Sequence, residues 1–588
     1  MLRYDLLQPY VGHKWLTQSA LGCVPSAGGQ EPSPGPSLTG SLQKSMTLAK
    51  EWMQNCESSH PTCRMSNMPN FTPTRLIDVG EERIFHSSIQ LSLKNKQDLP
   101  PNSQYLTLSH CWGGTVPLRL MMSNLASMMS NIPFSQLPKT FQDAVIVTQK
   151  LGVRYLWIDS LCIIQDDAQD WQHESALMVD VYRNALCNIS AAQASNSSQG
   201  LFLDRDVTFT KPVKARFQTD RRGPVLHDFW PEYIWTWGLE SGPLMSRGWV
   251  LQERILSRRN LHFRRDQVAW ECRNGAACEM FPRQLPFKEV PRPLKHNFSR
   301  TLFGDQRSMR EIMEAWDLTV SKYTACNLTY STDKLIALGG MSSTFNEFLG
   351  PRYLAGLWLK NIAYQLCWSG KREKGVSYVA PSWSWAATKG HVTHVFLPIH
   401  MVSTVRQIDV LEAAVDLVSH NGFGQVNSGY LKVAGRIASV KMEYRETYNQ
   451  QRHLTMLLPN SSGEYKTTTQ SLSLSWDEED IMDHQRQGHS GGQLLILAVL
   501  EHLHATREHT RAMAGEWQMD NRRAPSTRWL ILCPVQNRPG TYQRCGTFVA
   551  DDADHDRFED ACGWFDRVPC NLPIHSTDRG TRYSVTLV

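Results

Sequence analysis

The strongest candidates for chemistry in this sequence are a tryptophan and a glutamate that stand four residues apart. They are Trp249 and Glu253, in the run Arg247-Gly-Trp-Val-Leu-Gln-Glu253. This spacing places both side chains on one face of a helix. A glutamate in a Gln-Glu-Arg helix often forms only a weak surface ion pair. If the tryptophan instead shields the carboxyl from water, the pKa of Glu253 rises and the group suits acid, base or cation-stabilising work.

A second group of candidates lies at the ends of the first two predicted strands. Its members are Ser109, His110, Trp112, Gly113 and Asp159. In open α/β sheets, ligands bind outside the carboxyl ends of the strands, because loops and helix N-termini with unpaired N–H groups gather there. Asp159 either lines such a site or caps the turn that follows it. We therefore predict a binding site at this edge of the sheet.

Two other interpretations of the first strand end are weaker. His110 and Cys111 resemble a base and a nucleophile, but adjacent residues on an extended strand point to opposite faces and can hardly bond each other. Gly113-Gly114 allows a close approach to a phosphate, yet the sequence there is not a P-loop and lacks the Gly-x-Gly-x-x-Gly spacing. Neither pattern identifies a reaction.

Three potential zinc ligands occur near the N-terminus. Cys56, His60 and Cys63 follow the end of a predicted helix. A structural zinc site normally has four protein ligands, and no fourth ligand stands nearby in the sequence. The sequence therefore favours a capped helical turn that buries its cysteines, and we predict no metal.

Strand and helix signals alternate from Pro100 onward. The predicted elements are a strand over 105–110, a helix from Pro138 to Gly152, a strand over 154–159, a helix capped by Asp170, a strand over 186–192, a helix around Trp249, and a strand from Leu261 that continues to Cys272. Nearly continuous apolar strands separated by single helices favour a parallel sheet covered on both faces, which is an α/β fold. The segment between Ser195 and Met245 is rich in Gly, Pro and charge, and we predict an insertion or a lid there.

Length and charge exclude several classes of protein. A chain of 588 residues is too long for one core. A net charge of +5 from 61 basic and 56 acidic residues, without a basic stripe, does not indicate a nucleic-acid partner. We find neither a membrane-spanning apolar run nor a signal-peptide pattern, and we expect a cytoplasmic protein whose cysteines are mostly reduced and buried.

Five motifs in order resemble the fungal heterokaryon incompatibility (HET) domain. They are Tyr105-Leu-Thr-Leu-Ser-His-Cys-Trp-Gly113, Leu137-Pro-Lys-Thr-Phe-Gln-Asp-Ala144, Arg154-Tyr-Leu-Trp-Ile-Asp-Ser-Leu-Cys-Ile-Ile-Gln-Asp166, Tyr182-Arg-Asn-Ala185 and Arg247-Gly-Trp-Val-Leu-Gln-Glu253. Flanking motifs extend the resemblance to roughly residues 46–390. It implies an N-terminal flank over 46–100, a HET domain over 101–285 and a helical extension with a Pro-Ser-Trp-Ser-Trp motif over 286–400. A Pro/Gly/Ser-rich start predicts a flexible leader over 1–45, and strand-like runs predict a β-rich region over 401–588.

The resemblance also implies a chemistry. HET domains are thought to be distantly similar to Toll/interleukin-receptor (TIR) domains, which have a flavodoxin-like parallel sheet. Several TIR domains cleave NAD with a helix glutamate in a Trp-Cys-x-x-Glu pattern, and Trp249-Val-Leu-Gln-Glu253 has the same spacing with Val250 in place of cysteine. On this resemblance, Glu253 would stabilise the cationic transition state. Ser109, Trp112 and Asp159 would hold the ribose and an aromatic ring, and His110 would contact phosphate.

Three functions are compatible with this resemblance. The first is a cell-death effector in non-self recognition that consumes NAD and is activated by self-association or by a protein partner. The second is a non-enzymatic signalling module whose HET domain only binds partners. The third is a protein that uses the fold in specialised metabolism. NAD enters only the first of these, as a substrate, and no cofactor is expected.

Overall fold

The computed structural model describes most of the chain. The described residues are 21–25, 42–64, 71–81, 90–114, 118–205, 213–217, 225–231, 234–283, 294–304, 307–372, 377–394, 401–419, 422–446, 452–459, 465–467, 473–474, 478–487, 494–504, 526–550, 572–577 and 580–588. They fold into two compact units, Met1–Glu311 and Ile312–Val588. The five-segment division predicted above stays a prediction.

The first unit alternates strands and helices through most of its length. Its strands are β1 Leu21–Pro25, β2 Arg75–Asp78, β3 Gln90–Asn95, β4 Tyr105–Ser109, β5 Ile132–Pro133, β6 Tyr155–Trp157, β7 Cys187–Ser190, β8 Val213–Phe217, β9 Val225–Pro231, β10 Arg259–Phe263, β11 Val268–Cys272 and β12 Gly275–Cys278. Its helices are α1 Leu42–Ser59, α2 Pro61–Arg64, α3 Leu125–Ser130, α4 Lys139–Lys150, α5 Asp159–Cys162, α6 Ala168–Asn184, α7 Ile234–Glu240, α8 Gly248–Leu256 and α9 Leu294–Phe303.

Nine of these strands form one mixed sheet in the order β12-β11-β10-β7-β4-β6-β2-β3-β5. The central strands β10, β7, β4 and β6 are parallel, as the sequence predicts. The outer strands pair antiparallel on both sides, so the prediction of a purely parallel sheet is wrong. Numbered by their position along the chain, the parallel strands β4, β6, β7 and β10 are strands 1 to 4, and they lie side by side in the order 2-1-3-4. The direction in which successive strands are added therefore reverses between β4 and β7. Ligands of open α/β sheets bind at such a switch point.

Two local predictions need correction. The strand expected from Leu261 to Cys272 is an antiparallel hairpin of β10 and β11, because the polar turn between them folds back and Arg264 N–H donates to the Gln267 carbonyl. Helix α6 is capped by Asp167, whose carboxylate accepts from the N–H groups of residues 169 and 170. Asp170 instead lies inside the helix and pairs with Arg75.

Two predicted segments include residues that the structure does not describe. Of the leader over 1–45, the described parts are β1 and the first residues of α1. Within 195–245, the described residues are 195–205, 213–217, 225–231 and 234–245. They include β8 and β9, which form a three-stranded sheet with β1, and helix α7. The remainder of both segments lies outside the described residues.

The second unit is rich in strands, as predicted for the C-terminal region. Its helices are α10 Met309–Thr324, in which the unit begins, α11 Gly339–Leu349, α12 Ile362–Gln365 and α13 Glu478–Gln487. Its strands are β13 Tyr353–Leu354, β14 Leu357–Trp358, β15 Trp368–Lys371, β16 Lys389–His394, β17 Met401–Arg406, β18 Ile408–Leu417, β19 Val426–Gly435, β20 Ile437–Glu446, β21 Arg452–Pro459, β22 Tyr465–Thr467, β23 Ser473–Leu474, β24 Leu494–His504, β25 Ser526–Pro534, β26 Thr541–Ala550, β27 Ile574–Thr577 and β28 Gly580–Leu587.

A twelve-stranded sheet dominates this second unit. Both tryptophans of the Pro-Ser-Trp-Ser-Trp motif are fully buried, and the Trp385 indole donates to the Gly356 carbonyl. A disulfide joins Cys533 to Cys545. In the part of the chain that is described, no helix has both the length and the apolar character needed to cross a membrane.

Candidate functional site

Glu253 lies in the interior of the first unit, at the carboxyl edge of the parallel strands. Its helix, α8, begins at Gly248 after the tight turn Pro243–Ser246. Only 6% of its surface is exposed. The Ser109 hydroxyl donates a hydrogen bond to Glu253 Oε2, and the Tyr182 hydroxyl bonds the same carboxyl. Burial raises the pKa of Glu253 to about 7, although these two hydroxyls and the Arg247 guanidinium favour the charged form.

Ser109 belongs to a row of polar side chains that crosses the centre of the sheet. Asn188 on β7 donates to Ser109 Oγ at 3.0 Å and to Asn260 Oδ1 at 3.1 Å, and it accepts from the Thr107 hydroxyl at 3.0 Å. The strand register produces this row, since Asn188 stands opposite Thr107 on one side and Asn260 on the other. All four side chains are buried. Each hydrogen bond in the row helps to fix the hydroxyl that contacts Glu253.

The sequence prediction did not include Asn188 or Asn260. A signal was present, because Thr107 and Ser109 are polar residues two apart in an otherwise apolar strand, and such residues share one face of the sheet. A buried asparagine in the next parallel strand is the partner that such a pair needs. Only the register, however, shows which asparagine lies opposite.

His110 points to the other side of β4, as expected for the residue after Ser109. Its ring meets Phe141 on α4 edge-on, with centroids 4.8 Å apart. His110 Nδ1 lies 3.8 Å from Asp159 Oδ1, and His110 Nε2 is buried with no hydrogen-bond partner among the described residues. Burial lowers the pKa of His110 to about 4 despite the carboxylate, so the imidazole is neutral at physiological pH. The nucleophile and base pairing with Cys111 remains disfavoured by this orientation.

Asp159 connects the first two strand ends. One carboxylate oxygen accepts the Trp112 indole N–H at 3.1 Å, and the other accepts the Ser160 backbone N–H at 2.7 Å. Asp159 therefore stabilises the turn that begins at Ser160 and also holds the Trp112 ring. About a quarter of its side chain (26%) is exposed. Trp112 and Trp249 are half-buried, so these residues form the solvent-facing side of the site.

Gly113 has a backbone conformation and a close contact that both require glycine, and its predicted part in substrate binding stays a prediction. Its φ of +73° is a left-handed conformation that favours glycine. A Cβ at this position would lie 2.2 Å from Asn196 Cβ. The space above Gly113 is therefore filled by the loop that follows β7, whereas nothing lies within 4 Å of a Cβ placed on Gly114.

Arg247 connects His110 with Glu253. Its guanidinium donates to the His110 carbonyl oxygen and lies close enough to Glu253 to favour the carboxylate form. The sequence prediction placed Arg247 in the motif but gave it no role. Of the seven predicted residues, Ser109 and Glu253 are bonded directly, and His110, Trp112 and Asp159 form a second group. Gly113 is covered by Asn196, and Trp249 lies one turn before Glu253 on α8.

The end of α8 is anchored by a second buried cluster. Arg254 binds the carboxylate of Glu271 through two hydrogen bonds of 2.8 Å, and His262 Nε2 lies 3.3 Å from the same carboxylate. Arg254 holds the pKa of Glu271 below its usual range despite burial. The Gln-Glu-Arg run is thus part of the interior and makes no surface ion pair. This cluster fixes the helix, and with it Glu253, against β11.

The arrangement around Glu253 suits a reaction that develops positive charge. A buried carboxyl whose pKa is near neutrality ionises when a cation binds beside it, and in a dry site it stabilises that cation strongly. The Ser109 and Tyr182 hydroxyls orient the carboxyl.

The family model of the heterokaryon incompatibility protein (HET) matches residues 105–253. The match begins at the first residue of β4 and ends at Glu253, and it therefore contains every predicted site residue. No curated protein and no solved structure matches the chain.

Proposed function

Because residues 105–253 are a HET domain and the protein therefore has a function related to heterokaryon incompatibility, we propose that it is a cell-death effector whose HET domain hydrolyses NAD to nicotinamide and ADP-ribose. The observation that carries this proposal is the position of Glu253. It is a buried helix carboxyl with a raised pKa, at the switch point of a parallel sheet. The strand order 2-1-3-4 is the flavodoxin-like order, and α8 comes between the third and fourth parallel strands, as the proposed likeness to TIR domains requires.

In the proposed reaction, the bond between the ribose C1′ and the nicotinamide nitrogen breaks. The bonding electrons go to the pyridinium nitrogen, so nicotinamide leaves as a neutral molecule and C1′ becomes an oxocarbenium-like cation. The Glu253 carboxylate stabilises that cation. Water then attacks C1′ and releases a proton. NAD carries positive charge on its nicotinamide ring, so its binding favours the ionised form of a glutamate whose pKa is about 7.

The neighbouring residues have separate roles in this proposal. Ser109 orients Glu253, and Asp159 and the Trp112 ring lie on the solvent-facing side, where a ribose and an aromatic ring can be held. His110 would contact phosphate through its buried Nε2. Trp249 would support the ring of the substrate from α8.

Closure of the site fits an effector that stays silent until it is triggered. With 6% of its surface exposed, Glu253 is shielded by the surrounding side chains, and a substrate reaches it only when they move. We propose that self-association or a protein partner causes this opening, as lid movements do in many enzymes. The same closure favours one alternative, a HET domain that only binds partners and uses Glu253 to hold α8 against β4.

The test measures NAD loss and nicotinamide release from purified protein at low and high concentration. The wild type is compared with Glu253→Gln and with a matched control, Glu174→Gln, because Glu174 is a second buried glutamate with a raised pKa, on α6. We expect turnover that rises steeply with protein concentration, persists in the Glu174 variant and disappears in the Glu253 variant. No turnover at any concentration, with cell killing intact in all three proteins, would support the binding module.

A further inference from the structure

The three N-terminal candidate ligands acquire a fourth partner in the folded protein. Cys56 lies in the last turn of α1, His60 follows α1, and Cys63 lies on α2. Cys272 ends strand β11. We propose that Cys56, His60, Cys63 and Cys272 bind one structural zinc ion, which fastens α1 and α2 to the sheet. This inference does not depend on the proposed function.

The geometry of the four side chains suits zinc. Their ligand atoms, three sulfurs and one imidazole nitrogen, all lie within 4.8 Å of one another. Tetrahedral zinc with bonds of about 2.3 Å to sulfur and about 2.0 Å to nitrogen requires ligand atoms roughly 3.5 to 3.8 Å apart. Cys272 Sγ and His60 Nδ1 are already 3.5 Å apart. Small rotations of the side chains would close the remaining distances.

The composition and burial of the cluster indicate which metal it would hold and why. Three thiolates and one imidazole form a soft ligand set that selects zinc over magnesium or calcium. Cys56, Cys63 and Cys272 are each at most 1% exposed, so the site has no open position for a substrate. Four protein ligands in a closed site are typical of structural zinc, whereas catalytic sites leave one position to water.

The surrounding charges also fit a bound metal. Zinc with three thiolates and a neutral imidazole carries a net charge of −1, and burying this charge requires a positive partner. Arg259 is buried beside the cluster, and its Nε–H donates to Cys56 Sγ at 3.2 Å. The Arg273 guanidinium donates to the Thr62 carbonyl at 3.0 Å, on helix α2 next to the ligand Cys63. Such hydrogen bonds orient metal ligands and tune their basicity.

The metal would connect parts of the chain that are far apart in sequence. Two other contacts hold the same helix to the sheet: the Trp52 indole donates to the Pro282 carbonyl at 2.6 Å, and its ring lies 6.2 Å from that of Trp270 on β11. The zinc would fix the last turn of α1, one turn beyond Trp52. Because it closes a loop of more than 200 residues, its removal should loosen the N-terminal helices.

The experiment determines the metal content of the full chain, purified without chelators, by mass spectrometry. We expect one zinc per chain in the wild type and none in Cys272→Ser. Cys278→Ser is the matched control, because Cys278 is equally buried on the adjacent strand but lies outside the cluster. It should keep its zinc. Cobalt(II) exchanged into the wild type should give the absorption of a tetrahedral thiolate site, and Cys272→His should still bind cobalt with a shifted spectrum.

A second measurement separates metal loss from misfolding. Zinc is withdrawn from wild-type protein by a chelator, and circular dichroism and thermal unfolding are followed before and after zinc is added back. Loss of thermal stability that zinc restores supports the site. The proposal is overturned if the reduced wild type binds neither zinc nor cobalt, if Cys272→Ser binds as much metal as Cys278→Ser, or if peptide mapping finds a disulfide between two of the three thiols in freshly isolated protein.

Discussion

Replacement of Glu253 by glutamine should stabilise the first unit at neutral pH while it abolishes NAD cleavage. Burial raises the pKa of this carboxyl from an ordinary 4.5 to about 7. Between these two pH values the folded state binds the proton more tightly than the unfolded state, so stability falls as the pH rises through this window. At about 1.4 kcal/mol per pKa unit, the ionised group costs the fold about 3 kcal/mol above pH 7. Glutamine carries no charge and avoids this cost.

The assay is thermal unfolding of wild type and variant at pH 5 and pH 8. For a unit of this size, a gain of about 3 kcal/mol corresponds to a Tm increase of about 5 °C or somewhat more. We expect this increase at pH 8 and well under half of it at pH 5, where Glu253 is protonated in the folded protein. The difference between the two pH values is the diagnostic quantity, because it cancels the change in hydrogen bonding between Glu and Gln.

Glu271→Gln provides a control, because the effect of Glu271 on stability depends on pH in the opposite direction. Glu271 is also fully buried, but Arg254 holds its pKa low, so its stabilising effect is present above its unfolded-state pKa and is lost as the pH falls. Breaking this buried pair should destabilise the protein by about 3 to 5 kcal/mol at pH 8. If Glu253→Gln lowers the Tm equally at pH 5 and pH 8, the pKa of Glu253 is not raised and the argument for its role fails.

Three further substitutions each test one part of the site. Asn188→Ala removes a buried side chain that bonds three others, and chemical denaturation should show a loss of about 3 kcal/mol; a loss below about 0.5 kcal/mol would contradict the network. Gly113→Ala should cost about 2 kcal/mol, since its φ is positive and its Cβ would clash, whereas Gly114→Ala should be nearly neutral. Asp159→Asn removes a negative charge that raises the pKa of Glu253, so the pH profile of NAD cleavage should move to lower pH.

The centre of the sheet could be predicted because its signals are local. β4 and β7 are short runs of fully buried residues, and α4 begins directly after Pro138 and ends before Gly152, whose φ is positive. Proline at a helix start and glycine past its end need no tertiary information. The same holds for the alternation along β4 that sends Ser109 and His110 to opposite faces.

The antiparallel edges could not be predicted in the same way. β2 has four residues and β5 only two, too short for a periodic pattern to stand out from the surrounding chain. The hairpin of β10 and β11 was hidden because only a short polar turn separates the two strands. In that turn, Asp266 accepts the N–H of Gln267, a side-chain contact that stabilises the reversal but gives no hydrophobic signal.

The β10–β11 hairpin organises both sites, and this explains why the sequence shows each of them only in part. On one face, Asn260 stands opposite Glu271, and both bond residue 254 of α8. On the other face, Arg259 stands opposite Cys272, and both reach the ligand cluster beside α1. A register slip of one residue would turn each pair to the wrong face. Local spacing shows three zinc ligands and one glutamate, whereas the fourth ligand and the groups that position the glutamate depend on strand pairing.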